Sequence, residues 1–98
     1  MIDVQQADQK AIFSGALTRA TITRAFDKKY RQLVNGESIT IDLAKVNQID
    51  TAGLAWILLL IELAITKSCI INLVNLPDDL LKLARLSAVD TLLPIEKK

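Results

Sequence analysis

The clearest alternation of apolar and polar residues lies in residues 38–43, which read SITIDL. A period of two is typical of a strand with one buried face, so we predict a strand that turns its two isoleucines and its leucine toward the core. The β-branched, aliphatic run Ile70–Val74 predicts another strand. Residues 1–6 and 10–14 are weaker strand candidates, and the polar link of residues 7–9 suits a hairpin between them.

Helical spacing of apolar residues precedes the pair Asn35-Gly36. One face of this segment carries four large apolar or aromatic residues: Ile22, Phe26, Tyr30 and Leu33. Thr18 and Thr21 are both suitable N-caps, because a threonine hydroxyl can accept a free backbone N–H of the first turn. We therefore predict a helix from this region to about Val34, ended by the glycine.

Two further helices are predicted in the second half of the chain. One spans residues 51–66 and follows a predicted loop over residues 45–50. The other begins near Pro77, which fits the first turn, and near Asp78 and Asp79, whose charges complement the positive end of the helix dipole.

The order of these elements predicts an α/β fold. Strands joined through helices are most simply parallel, and two successive right-handed crossovers in one direction place both helices on the same face of the sheet. Together with the hairpin, this gives a four-stranded mixed sheet with helices packed mainly on one face. We predict a single domain over residues 1–98, with a short, irregular tail from Ser87 onward.

Composition narrows the functional classes. Hydrophobic residues make up 51% of the chain and only 4% is aromatic, so we expect an aliphatic core with apolar surface left for a partner. A net charge of +1 gives no strong electrostatic case for binding nucleic acid or an anionic membrane, and we predict no nucleic-acid partner and no direct membrane insertion. The single cysteine, Cys69, and the lack of a secretory signal favour the cytoplasm. Residues 52–65 are almost wholly apolar but too few to span a bilayer.

Catalytic chemistry is not indicated by any motif in the sequence. The chain has no histidine and nothing that resembles a phosphate-binding glycine loop, a metal cluster or a catalytic triad, so we predict no enzyme activity and no cofactor. The basic residues of the first helix are best explained as a solvated face, although contact with an acidic partner surface stays open. They are Arg24, Lys28, Lys29 and Arg31.

The helix predicted over residues 51–66 is unusually apolar on the side away from the sheet. Its core face comprises Gly53, Ile57, Leu60, Ile61 and Ala64. The opposite stripe comprises Thr51, Ala55, Glu62 and Thr66, with Leu58 and Leu59 at its edges. An outward stripe with a single charge suggests a docking surface for another protein. Two alternatives stay open: the leucines are covered by the first helix or the tail, and Thr51 is only a helix cap.

The segments SITIDLAKV and IDTAGLAWILLLIELA resemble the centre of a STAS domain. That family has a strand ending in an aliphatic-Asp-Leu step, then a loop, then Asp-(Ser/Thr)-x-Gly-(Leu/Ile) at the start of a long apolar helix. Asp50, Thr51, Gly53 and Leu54 match those positions. The family includes anti-sigma factor antagonists and cytoplasmic regions of anion transporters, and its members act by binding proteins.

Within the family, the threonine at position 51 and the continuation LAWILLLIELA are most similar to STAS subunits of phospholipid-transport ABC systems in Gram-negative bacteria. The ending Leu92-Leu93-Pro94 is also similar. The resemblance implies binding to a cytoplasmic ABC transporter ATPase within a complex that contains a membrane permease. The contact residues that the resemblance implies are Asp50, Thr51, Gly53, Leu54, Ala55 and Leu58, and the outward stripe of the helix adds Glu62 to the predicted contact residues. The alternative is an anti-sigma factor antagonist that is switched by phosphorylation of Thr51.

Overall fold

A computed structural model describes residues 1–93 of the chain. Its strands are β1 (Ile2–Ala7), β2 (Lys10–Leu17), β3 (Ser38–Ile49) and β4 (Ile70–Val74). Its α-helices are α1 (Arg24–Tyr30), α2 (Thr51–Thr66) and α3 (Asp78–Leu86), with short 3₁₀ turns at Arg31–Leu33 and Asp90–Leu92. The order of elements, the hairpin and the bounds of the helix at 51–66 confirm the sequence predictions.

The four strands form one mixed sheet in the order β1-β2-β3-β4. β1 pairs antiparallel with β2, while β2, β3 and β4 are parallel to one another. In β3 the residues at alternate positions, Ile39, Ile41 and Leu43, are buried, and the polar residues between them are only half-buried. One sheet face is therefore covered by the helices and the other is open, as predicted for an α/β fold of this type.

The strand β3 is longer than predicted and includes the segment expected to be a loop. The prediction of a loop over residues 45–50 was wrong for residues 45–49, which continue the strand. The alternation fails here because Leu43 and Val46, three positions apart, are both buried. An irregularity in the β2–β3 register absorbs the extra residue, since Ile12 pairs with Asp42 but Ser14 pairs with Lys45.

The first helix is shorter than predicted and has a different cap. Thr23, not Thr18 or Thr21, is the N-cap, and its side chain accepts a hydrogen bond from the Phe26 amide at 3.1 Å. The Thr21 hydroxyl instead closes the preceding loop, because it donates to the Ala16 carbonyl at 2.8 Å. The α-helix ends at Tyr30 and continues as the 3₁₀ turn toward the predicted end.

The four aromatic side chains pack against one another in the region of α1 and α2. The expectation of a purely aliphatic core was therefore wrong. Phe13 of β2 is fully buried and lies 5.9–6.5 Å, between ring centroids, from the other three rings: Phe26, Tyr30 and Trp56. Such offset aromatic pairs add about 0.5–1.5 kcal/mol beyond area burial. Most of the remaining core is aliphatic, and it includes Leu93, which is buried. Pro94 lies outside the described residues.

Candidate docking face

The outward side of α2 is exposed as the helical spacing predicted. Thr51, Ala55 and Glu62 are exposed, and Leu58 and Leu59 are half-buried. We call these five residues the docking face. Glu62 is its only charged member, so most of this surface consists of methyl groups and leucine side chains. The leucines are thus partly covered by neighbouring elements, but the face as a whole remains open to solvent.

Asp50 fixes the beginning of α2. One carboxylate oxygen accepts the Gly53 amide at 3.0 Å, which makes Asp50 the N-cap, and the other accepts the Arg19 amide at 3.0 Å. The hydrogen bond from Arg19, followed by that from Gly53, holds the pKa of Asp50 below its ordinary value against partial burial. Asp50 therefore joins the loop before α1 to the start of α2. Because Asp50 is the cap, the exposed Thr51 hydroxyl is not needed for that role.

Gly53 allows α2 to approach the end of β2 very closely. A Cβ atom at this position would meet the backbone carbonyl oxygen of Leu17 and would lie 2.8 Å from Cγ1 of Ile49. A side chain here would force the backbone apart, and glycine avoids this at a cost of about 1 kcal/mol in helix propensity. Helical spacing placed Gly53 on the core face, and the structure identifies the β2 backbone as its close neighbour.

Two residues matched to the family motif lie beneath the surface. Gly53 is buried and Leu54 is only 3% exposed, within the core. We therefore assign these two residues to the support of the docking face and leave them out of the contact surface. Ile61, expected in the core, is half-buried instead.

Trp56 is 4% exposed and is tied to α1 by a hydrogen bond. Its indole N–H donates to Oδ1 of Asp27 at 2.9 Å, and Arg31 donates to both oxygens of the same carboxylate. These Arg31 hydrogen bonds, with a further contribution from Trp56, hold the pKa of Asp27 below its ordinary value despite its partial burial. No sequence motif indicated this contact, because 29 positions separate Asp27 from Trp56.

Grooves flank the docking face on both sides. The α1–α2 groove, about 520 Å³, lies between the two helices and includes Ile22, Arg24, Asp27, Ala55, Trp56 and Leu59 in its lining. A second groove, about 280 Å³, is lined by Leu58, Ile61, Glu62, Ile65 and Leu92. Ile65 and Leu92 are 75% and 58% exposed, which extends the apolar surface toward the end of the described chain.

Within residues 1–93 no cluster of three or more histidine, cysteine, aspartate or glutamate side chains is arranged to hold a metal ion. Across the same described residues, each helix is too short or too polar to traverse a lipid bilayer.

Comparison with known proteins identifies the family. The sequence model described as MlaB, STAS domain, matches residues 2–94. No curated protein matches the chain in sequence.

Solved structures of anti-sigma factor antagonists share the fold. One from Mycobacterium paratuberculosis superposes with a TM-score of 0.74 at 19% identity, covering 100% of this chain and 86% of that one. The antagonist SpoIIAA in its unphosphorylated form gives 0.72 at 10% identity, with 100% and 90% covered. A STAS domain protein from Planctomyces limnophilus gives 0.71 at 12% identity, with 99% and 91% covered. Identities this low establish the fold alone, and it is the family model that shows that this chain belongs to the STAS domain family, with an MlaB-like sequence.

Proposed function

We propose that this chain is a non-catalytic accessory subunit that binds the ATPase of an ABC transporter for phospholipid trafficking between membranes, and so maintains outer-membrane lipid asymmetry. It supports assembly and activity of the transporter from the cytoplasmic side, held at the inner membrane through the ATPase and its permease. The MlaB-like sequence, matched over residues 2–94, supports this class of partner. The observation that carries the proposal is the docking face, an exposed helix surface with a single charge.

Binding of this kind requires a surface complementary in shape to the partner and close contacts with it, and it requires no catalytic chemistry from this chain. Thr51 and Ala55 are exposed and small, so a partner backbone can approach α2 closely at its start. The Thr51 hydroxyl is available to hydrogen-bond a partner, since Asp50 provides the helix cap. Leu58 then supplies apolar contact one turn further along.

Purification of the tagged chain from its own host, followed by mass spectrometry, tests the proposal. We expect an ABC-type ATPase and a membrane permease to co-purify with it. The variant Thr51→Glu is expected to lose them, because docking would bury a charge without a partner.

The matched control is Gln6→Glu, which introduces the same charge at an exposed residue of β1, near the hairpin and away from α2. It is expected to retain both proteins. Recovery of the ATPase with Thr51→Glu at the wild-type level would contradict the assignment of the docking face. Absence of any ATPase in the wild-type preparation would contradict the proposed partner.

A second candidate is supported by the exposure of Thr51 at the first residue of α2 and by the fold shared with anti-sigma factor antagonists. A phosphate on Thr51 would meet free backbone N–H groups at the positive end of the helix dipole, and would add nearly two negative charges to the docking face. Intact-mass measurement on protein from native cells distinguishes the two functions. A phosphorylated population together with a co-purifying anti-sigma factor kinase would favour the switch.

A further inference from the structure

The α1–α2 groove combines an apolar floor with one unpaired positive charge at its edge. The floor is formed by Ile22, Ala52, Ala55, Trp56 and Leu59. Arg24, the first residue of α1, is exposed and lines the groove, and it forms no ion pair within residues 1–93. The groove is shallow and widely open to solvent, so it can be contacted by a short stretch of partner chain.

The other charged side chains near the groove either already form an ion pair or line a neighbouring cavity further along α2. The Asp27 carboxylate is bound by Arg31 at 2.9 Å and by the Trp56 indole, so its negative charge is compensated. Further along α2, Arg31 and Glu62 line a neighbouring cavity of about 160 Å³. The lining of the groove carries one cation and one anion, and because Arg31 pairs with the anion, Arg24 is the charge left for a ligand.

We infer that the α1–α2 groove receives a segment of the ATPase in which apolar side chains are flanked by a carboxylate, and that the carboxylate pairs with Arg24. This inference rests on the proposed function and specifies the chemistry of the partner. The apolar side chains cover Ile22, Ala55 and Leu59, which gives affinity, and the ion pair at the edge sets orientation and the rate of encounter.

Charge reversal at Arg24 separates this contact from docking in general. Binding of the ATPase recovered by co-purification is measured with wild type, Arg24→Glu and Lys28→Glu at low and high salt. Lys28 is the matched control, since it is an exposed lysine of the same helix that does not line the groove. We expect Arg24→Glu to weaken binding on the order of tenfold at low salt and less at high salt, and Lys28→Glu to change it less than about twofold.

Occupation of the groove is read independently from Trp56, the only tryptophan in the chain. Labelling with 5-fluorotryptophan gives one ¹⁹F resonance, which is expected to shift when the ATPase binds. Vesicles of phosphatidylethanolamine and phosphatidylglycerol serve as the second probe and are expected to leave the resonance unchanged.

Three results would overturn the inference while the proposed function stands. They are equal binding by Arg24→Glu and wild type, equal weakening by Arg24→Glu and Lys28→Glu, and binding of the ATPase without a ¹⁹F shift. A shift produced by the vesicles would overturn it in favour of a lipid phosphate as the ligand of Arg24. Loss of the proposed function itself is recognised separately, by wild-type protein that binds no ATPase or by Thr51→Glu that binds it normally.

Discussion

Helices α2 and α3 both follow parallel strands of the same sheet, yet their outward surfaces differ. α3 presents Asp78, Asp79, Lys82 and Arg85 to solvent and buries Leu80 and Ala84, which is the ordinary pattern of a surface helix. α2 buries six residues over a longer span and offers solvent an outward side with Glu62 as its only charge. A helix that needs only to cover a sheet resembles α3, and the apolar outward side of α2 departs from that pattern in the way the proposed partner contact would explain.

The first residues of α2 and α3 also differ, because the start of α2 is held by more contacts than the start of α3. The start of α2 is held by the Asp50 carboxylate and by the close contact of Gly53 with Leu17, whereas the cap of α3 is Pro77, which provides no side-chain hydrogen bond. Contacts that fix position are therefore concentrated where we place the docking face. A rigid helix start loses little conformational entropy when a partner binds.

The largest expected effect is on binding of the ATPase, and it tests the difference between the outward surfaces of α2 and α3. Ala55→Glu on α2 should weaken binding of the ATPase by about 3 kcal/mol or more, since it buries a charge in the interface and fills the space that the small alanine leaves for the partner. Leu86 of α3, which is 85% exposed, is the matched position, and Leu86→Glu should leave binding unchanged. Titration calorimetry measures both. Equal losses for the two variants would mean that α3 also contacts the partner.

The next effect concerns stability. Gly53→Ala should lower the free energy of unfolding by about 1–3 kcal/mol even though alanine favours helices, because the new methyl group meets the Leu17 carbonyl. Lys82→Ala on the exposed side of α3 should change it by less than about 0.5 kcal/mol. Urea denaturation followed by circular dichroism gives both values. An unchanged midpoint for Gly53→Ala would show that α2 can shift away from the sheet without cost.

A smaller effect on the free energy of unfolding tests the difference between the N-caps of α2 and α3. Asp50→Ala should destabilise the protein by about 1 kcal/mol, since the Gly53 and Arg19 amides lose their acceptor. Pro77→Ala removes no side-chain hydrogen bond and should cost a few tenths of that amount. The same denaturation experiment compares them, and a larger loss for Pro77→Ala would reverse our assignment of which helix start is the more firmly held.

The smallest effect is the pH dependence of the Asp50 cap. Because the folded protein lowers the pKa of this carboxyl, its contribution to stability is fully present above the ordinary value of 3.8 and is lost as the pH falls through the lower folded value. The difference in unfolding free energy between wild type and Asp50→Ala should therefore be constant well above pH 3.8 and shrink as the pH falls from there through the lower folded value. A difference that is constant over this range would show that the charge of Asp50 contributes nothing.

Much of this architecture could be predicted from local sequence patterns, and each wrong prediction has a local structural cause. The alternation over residues 38–43 and the apolar run of α2 are strong signals, and both elements form as predicted. The end of β3 was missed because a register irregularity breaks the period of two. The start of α1 was misplaced because Thr18, Thr21 and Thr23 are equally suitable caps in sequence, and only the loop that Thr21 closes decides among them.

The candidate site was predicted less completely than the fold. Helical spacing identified Thr51, Ala55 and Glu62 as outward, and all three are exposed. It could not show that Leu54 faces the core, since that depends on where neighbouring elements pack. The α1–α2 groove was invisible to pattern analysis, because its shape depends on contacts such as that of Asp27 with Trp56, which only the folded chain brings together.

The order of strands in the sheet also bears on how the chain is assembled during synthesis. Each strand pairs with the one that precedes it in sequence, so each can be added to the growing edge as soon as it leaves the ribosome. The antiparallel hairpin closes a short loop, whereas the parallel pairs β2–β3 and β3–β4 each close a loop of about 30 residues and are expected to form more slowly. Until residues 70–74 emerge, however, the edge of β3 is unpaired, and this is the interval in which a nascent chain is most open to non-native strand pairing.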